Sequence, residues 1–157
     1  MYGLQCMNLF VRYLFAGLRR FNVVTMAYMI WELLLVQQDY YPVSTTQAEV
    51  LGLLKAASDQ LESVNNYLAV TRGSTLTADM SAIYASPTVI CYATSQASTY
   101  SVTPYSLNDA VAALIARSRR VYTAPSVRYD TDDVYFVLKN GPGIYRKIFY
   151  TDLDATL

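Results

Sequence analysis

The chain contains no histidine. That absence excludes the Ser-His-Asp triad, the Cys-His dyad and every histidine-based metal site. It also removes the one side chain that titrates near neutrality without help from its surroundings. Lysine is nearly as scarce, with three against nine arginines. Charged residues make up 15% of the chain, where soluble domains typically carry about 25%. There are two cysteines, Cys6 and Cys91, too few for a disulfide scaffold. A bridge between them is compatible with the sequence but does not follow from it. Both cysteines lie in apolar surroundings, which raise a thiol pKa and make it unreactive. No linker-like tract and no internal repeat divides the 157 residues, so a single domain, 1–157, is expected.

What remains is 54% hydrophobic and includes 15 tyrosines. This is the opposite of a disordered composition. A surface so poor in charge exposes neutral groups. Tyrosine, with a broad apolar ring, a polar tip and little rotamer entropy, suits a surface that other protein covers. Lys+Arg and Asp+Glu balance at 12 each. A zero net charge supplies no long-range pull toward nucleic acid and no self-repulsion between copies. Nucleic acid is therefore not expected as a partner.

The amino-terminal part holds two apolar runs, 4–18 and 21–36, separated by Arg19-Arg20. The second is too short for a membrane span and contains Glu32. A signal peptide would place its basic residues earlier and follow the apolar run with a small-residue cleavage site. Helix over 4–36 is expected, buried in the core or packed on a neighbouring subunit, with 1–43 as a helical extension or arm for subunit or membrane contact. Met26-Ala27 would also make an ordinary start of translation, so Met1 and Met26 both stand as candidate first residues.

A second helix is predicted over 47–70. Ala48, Leu51, Leu54, Ala57 or Ser58, Leu61, Val64 and Leu68 recur at three and four. Thr46-x-x-Glu49 has the form of a capping box, and Arg72-Gly73 supplies a stop. The stripe spans about three heptads, long enough for an intersubunit seam, but packing on its own domain is the commoner role of such a face. A third helix is predicted over 107–120, opened by Ser106 and Asp109, with Leu107, Ala110, Val111, Leu114, Ile115 and Ser118 facing inward. The rest reads as a small antiparallel sheet drawn from 88–103 and 126–150. In it Val134, Phe136 and Leu138 alternate, and Asn140-Gly-Pro-Gly143 forms a hairpin loop. The fold class is α+β.

Two clusters invite a chemical role. Asp130, Asp132 and Asp133 could hold a hard cation, but Asp is also a good turn residue, and neither the glycine nor the glutamate of an EF-hand follows. Arg117, Arg119 and Arg120 could meet phosphates, but cations at a helix carboxyl end also satisfy its dipole or form ion pairs. The glycine-rich Asn140–Gly143 lacks the lysine and following helix of a phosphate loop.

The composition therefore predicts a structural or assembly subunit, not an enzyme, with no cofactor. Its partners would be copies of itself or other subunits, in a virion or an extracellular filament. Interface candidates are Tyr28, Trp31, Tyr40, Tyr41, Leu61, Leu68, Arg117, Arg119 and Arg120. The alternatives are a membrane-associated accessory protein anchored by 4–36 and a metal-dependent enzyme built on the Asp130–Asp133 cluster.

Overall fold

The computed structural model describes residues 2–38, 46–70, 85–92 and 102–154. Among these residues there are four helices and a two-stranded antiparallel sheet, and 80% of them are helical, an α+β arrangement in which helix dominates. In chain order the elements are α1 (Tyr2–Gln37), α2 (Gln47–Val70), β1 (Val89–Tyr92), β2 (Val102–Tyr105), α3 (Leu107–Thr123) and α4 (Asp132–Asp154). Each helix packs on the next, and α4 returns to α1, so the helices close into a ring around one core.

α1 runs unbroken through Arg19-Arg20. At 1.5 Å per residue its 36 residues span about 54 Å, against about 26 Å for the 17 residues of α3. None of its described side chains before Arg19 is buried. From there inward the helix contributes Val23, Met26, Ile30, Leu33 and Leu34 to the core, at the 3–4 spacing of one helical face. The second half of the expected arm is thus a full member of the domain.

α2 begins as its sequence predicts. Thr46 N donates to Glu49 Oε2 at 2.6 Å, and Glu49 N donates to Thr46 Oγ1 at 3.3 Å, the reciprocal pair of a capping box. Its buried face is Val50, Leu54, Ala57, Ser58, Leu61 and Val64. This stripe packs on α1 and α3 of the same chain, as a core face does. Ala48, at the first turn, is exposed. The stop at Arg72-Gly73 lies outside the described residues.

α3 is capped by Ser106, whose side chain accepts from Asp109 N at 3.2 Å. All six residues expected to face inward are buried. The helix continues through Val121 to Thr123, and Ala124 closes it with an N–H donated to the Val121 carbonyl.

The tail departs from expectation. Residues 126–150 supply no strand among the described residues. Val127–Asp130 is irregular and turning, and 132–154 is one helix. The alternation of Val134, Phe136 and Leu138 was misleading. Val134, Val137, Gly141, Ile144 and Ile148 are buried at spacings of three and four, the helical period. Phe136 is buried as well, because this helix is covered on two sides, by α1 and α3. Asn140-Gly-Pro-Gly143 is not a hairpin loop; it lies inside α4, with Pro142 in mid-helix. Proline there has no N–H to give the Leu138 carbonyl, an interruption that tertiary packing must offset. Gly141 lies close to α1, where an added Cβ would stand 3.4 Å from the Ala27 Cβ.

Among the described residues the sheet consists of β1 and β2, with Val89 opposite Tyr105 and Tyr92 opposite Val102. Asn140 fastens β1 to α4. Its Oδ1 accepts from Tyr92 N at 2.8 Å, and its Nδ2 donates to the carbonyls of Tyr92 and Phe136, both at 2.9 Å. A buried amide with three bonds is fully used. Ser118 is the contrast: its side chain is completely covered, and its hydroxyl has no hydrogen-bond partner among the described residues.

These two buried polar side chains predict opposite outcomes in a denaturant titration. Asn140→Ala strands both backbone groups of Tyr92 and should lower stability by about 2–3 kcal/mol. Ser118→Ala removes an unmet desolvation cost and should raise it by about 1 kcal/mol.

Candidate interaction surface

The arginines of α3 turn out to hold the bundle together. Arg117 Nη1 donates to Asp133 Oδ1 at 2.8 Å. Arg120 reaches the same carboxylate through Nε at 3.0 Å and Nη2 at 2.9 Å. Arg119 leaves the helix on the other side, giving a fork to Glu62 at 2.8 and 2.6 Å and a longer bond to Asp59 at 3.3 Å. One turn of α3 is thereby tied to α4 and to α2. The Arg117 guanidinium also lies over the Phe136 ring, 5.2 Å from its centroid.

This wiring accounts for two members of the aspartate cluster. Burial pulls the Asp133 carboxyl upward, but hydrogen bonds from Arg120 and Arg117 outweigh it and hold it below its ordinary value. Asp130 is paired with Arg128 at 2.6 Å, and that hydrogen bond lowers its pKa too. Asp132 stands in the first turn of α4, where a carboxylate is favoured by the helix dipole. Among the described residues no group of three or more His, Cys, Asp or Glu is placed to hold a metal ion.

Of the remaining interface candidates, Leu61 is completely buried by its own chain and Leu68 is half-buried. Tyr40 and Tyr41 lie outside the described residues. Tyr28 and Trp31 are exposed, at 56% and 49%, on the side of α1 turned away from the core. Trp31 meets Tyr129 at its edge, with ring centroids 6.3 Å apart.

Tyr28 and Trp31 are not alone there. Met7, Phe10, Tyr13, Leu14, Phe21 and Val24 are also large, apolar and about half exposed or more. Sequence reasoning passed over these six because α1 is apolar all round, which obscures any single stripe. No helix is long and apolar enough to cross a membrane among the described residues.

Two other features have the makings of a site, a groove and a thiol. An open groove of about 760 Å³ lies between the hairpin and α4, lined by Ile90, Tyr92, Lys139, Pro142, Tyr145 and Arg146. Its Lys139 ammonium already lies over the Tyr92 ring, at 5.2 Å. Cys91 is a free buried thiol whose pKa burial pushes up to about 11, so it is held in its unreactive form at neutral pH. No protein-family model, no curated protein and no solved structure matches the chain.

The depressed pKa of Asp133 fixes the sign of its pH dependence. Its contribution is complete above the ordinary aspartate value of about 3.9 and is lost as pH falls through the lower native value. Asp133→Asn should therefore cost about 1–3 kcal/mol at pH 7 and flatten the loss of stability as pH falls below about 4. Denaturant midpoints across that range check both.

Proposed function

We propose that the chain is a structural subunit of a larger protein assembly, acting through protein–protein contacts and not through catalysis. The observation that carries this reading is the outer face of α1, where eight large apolar side chains stand exposed along one helix. Scattered apolar residues on a surface are ordinary; a contiguous patch larger than a few hundred Å² is what monomeric proteins avoid. The hairpin adds Ile90 and Val102, also exposed.

The charge distribution supports the same conclusion. The three arginines of α3 and the carboxylates Asp59, Glu62 and Asp133 are engaged in ties between helices of the chain. The net charge is zero, so no overall repulsion keeps copies or partners apart. A virion or an extracellular filament is the class of assembly such permanent, charge-poor contacts fit. The Asp130–Asp133 cluster gives a metal-dependent enzyme little support, since two of its three carboxylates, Asp130 and Asp133, already answer arginines.

The test is the native mass of the particle that holds this chain, taken from an unfractionated extract of its source. The expected result is a complex many times the mass of one chain. Recovery as a single chain, free of partners and lipid, overturns the proposal.

A further inference from the structure

The exposed side chains of α1 are spaced as Met7, Phe10, Leu14, Gly17, Phe21, Val24, Tyr28 and Trp31. The steps are three, four, three, four, three, four and three. That is the repeat of a coiled-coil seam, sustained through four heptads. Seven of the eight positions carry a large apolar side chain that is 47–68% exposed. The core stripe of the same helix, Val23, Met26, Ile30 and Leu33, lies on the opposite side. α1 therefore carries two seams, and the other described elements bury only one.

We propose that the outer seam of α1 pairs with the same seam on a second copy of this chain, as a homomeric helical coil. The inference rests on the assembly reading above and names its contact. Four points favour this occupant. First, a 3.5-residue period is what a partner helix of the same period requires, because an isolated straight helix drifts off it by about 20° per heptad. Second, the area suffices. With a full aromatic side chain presenting about 150–250 Å², the seven side chains leave on the order of 800 Å² exposed, close to the roughly 800 Å² per partner of a stable interface. Third, a seam that meets itself is self-complementary about a two-fold axis, the commonest symmetry of assemblies. Fourth, the charged residues of this stretch, Arg12, Arg19 and Arg20, all lie off the seam, and Arg19 is buried in the domain.

A membrane surface fits less well. Helices that lie in a bilayer interface carry abundant Lys and Arg beside their apolar face. Here the opposite face of α1 is occupied by the core of the bundle.

Gly17 marks the weak point of the seam. A Cβ added there meets nothing within 4 Å, so the position is open, and a larger residue would fill a hole between the two helices.

The experiment measures the solution mass of the full chain by sedimentation equilibrium from micromolar to several hundred micromolar. The wild type and two variants, Gly17→Leu and the double variant Phe21→Glu, Tyr28→Glu, are compared. The wild type should form a dimer or a higher multiple. The double variant should associate at least about 100-fold more weakly with an unchanged unfolding midpoint once monomeric, since both side chains are exposed. Gly17→Leu should tighten association about tenfold or more. Trp31, the one tryptophan, should shift its emission to the blue as the wild type associates, and the double variant should not.

A wild type that multimerises equally well with the double substitution overturns the seam and leaves the assembly reading standing. So does a wild type that is monomeric throughout while the native chain runs in a large complex, since the partner is then a different protein. A monomer that co-sediments with vesicles of phosphatidylcholine and phosphatidylserine, through the same two side chains, overturns the seam in favour of a membrane surface. A monomer in both purified and native form ends both proposals.

Discussion

The rest of the structure depends on one constraint: α1 is apolar on two faces, and the other described helices cover one of them. α2 and α4 flank its inner face and are held there by Val23, Met26, Ile30 and Leu33. The remaining surface is left facing outward along most of its length. In a small domain this is costly unless a second surface arrives, because apolar area left in water forgoes about 25 cal/mol per Å². The fold is complete as a core and incomplete as a surface.

Charge is arranged to suit this. Four of the six ion pairs described register helices against one another, while Lys55–Asp59 and Arg128–Asp130 are local. α3, the shortest helix, has the densest set, holding α2 through Arg119 and α4 through Arg117 and Arg120. Exposed pairs such as Arg119–Glu62 contribute little each. Asp133, with two arginines and 24% of its side chain exposed, is the firmer of these attachments. The hairpin is attached by different means, through one amide side chain instead of a charge.

The sequence made the helices with local signals legible. α2 and α3 have caps formed by neighbouring residues, Thr46 with Glu49 and Ser106 with Asp109, and one clean stripe each. α4 was misread because Asn140-Gly-Pro-Gly143 carries the strongest turn chemistry in the chain, and Val134, Phe136 and Leu138 fall on a period of two. Tertiary context overrode both. Gly141 permits a close approach to Ala27, and a helix buried against two neighbours places apolar residues at strand-like spacing. The arginines read as ion-pairing residues and the aspartates as a turn or a metal site, and sequence separation hid that the two groups meet each other, 13 and 16 residues apart. The outer seam was hidden by its surroundings. A seven-residue repeat shows plainly only when the residues between its positions are polar, and here Val11, Leu18 and Ala27 are not.

The attachment of the hairpin has its own kinetic consequence. The Tyr92 amide gives its proton to Asn140 on α4, and not to a neighbouring strand. Its exchange with deuterium is therefore gated by separation of the hairpin from that helix. A single backbone resonance would time a tertiary opening, where in most sheets the same resonance would time only the fraying of a strand.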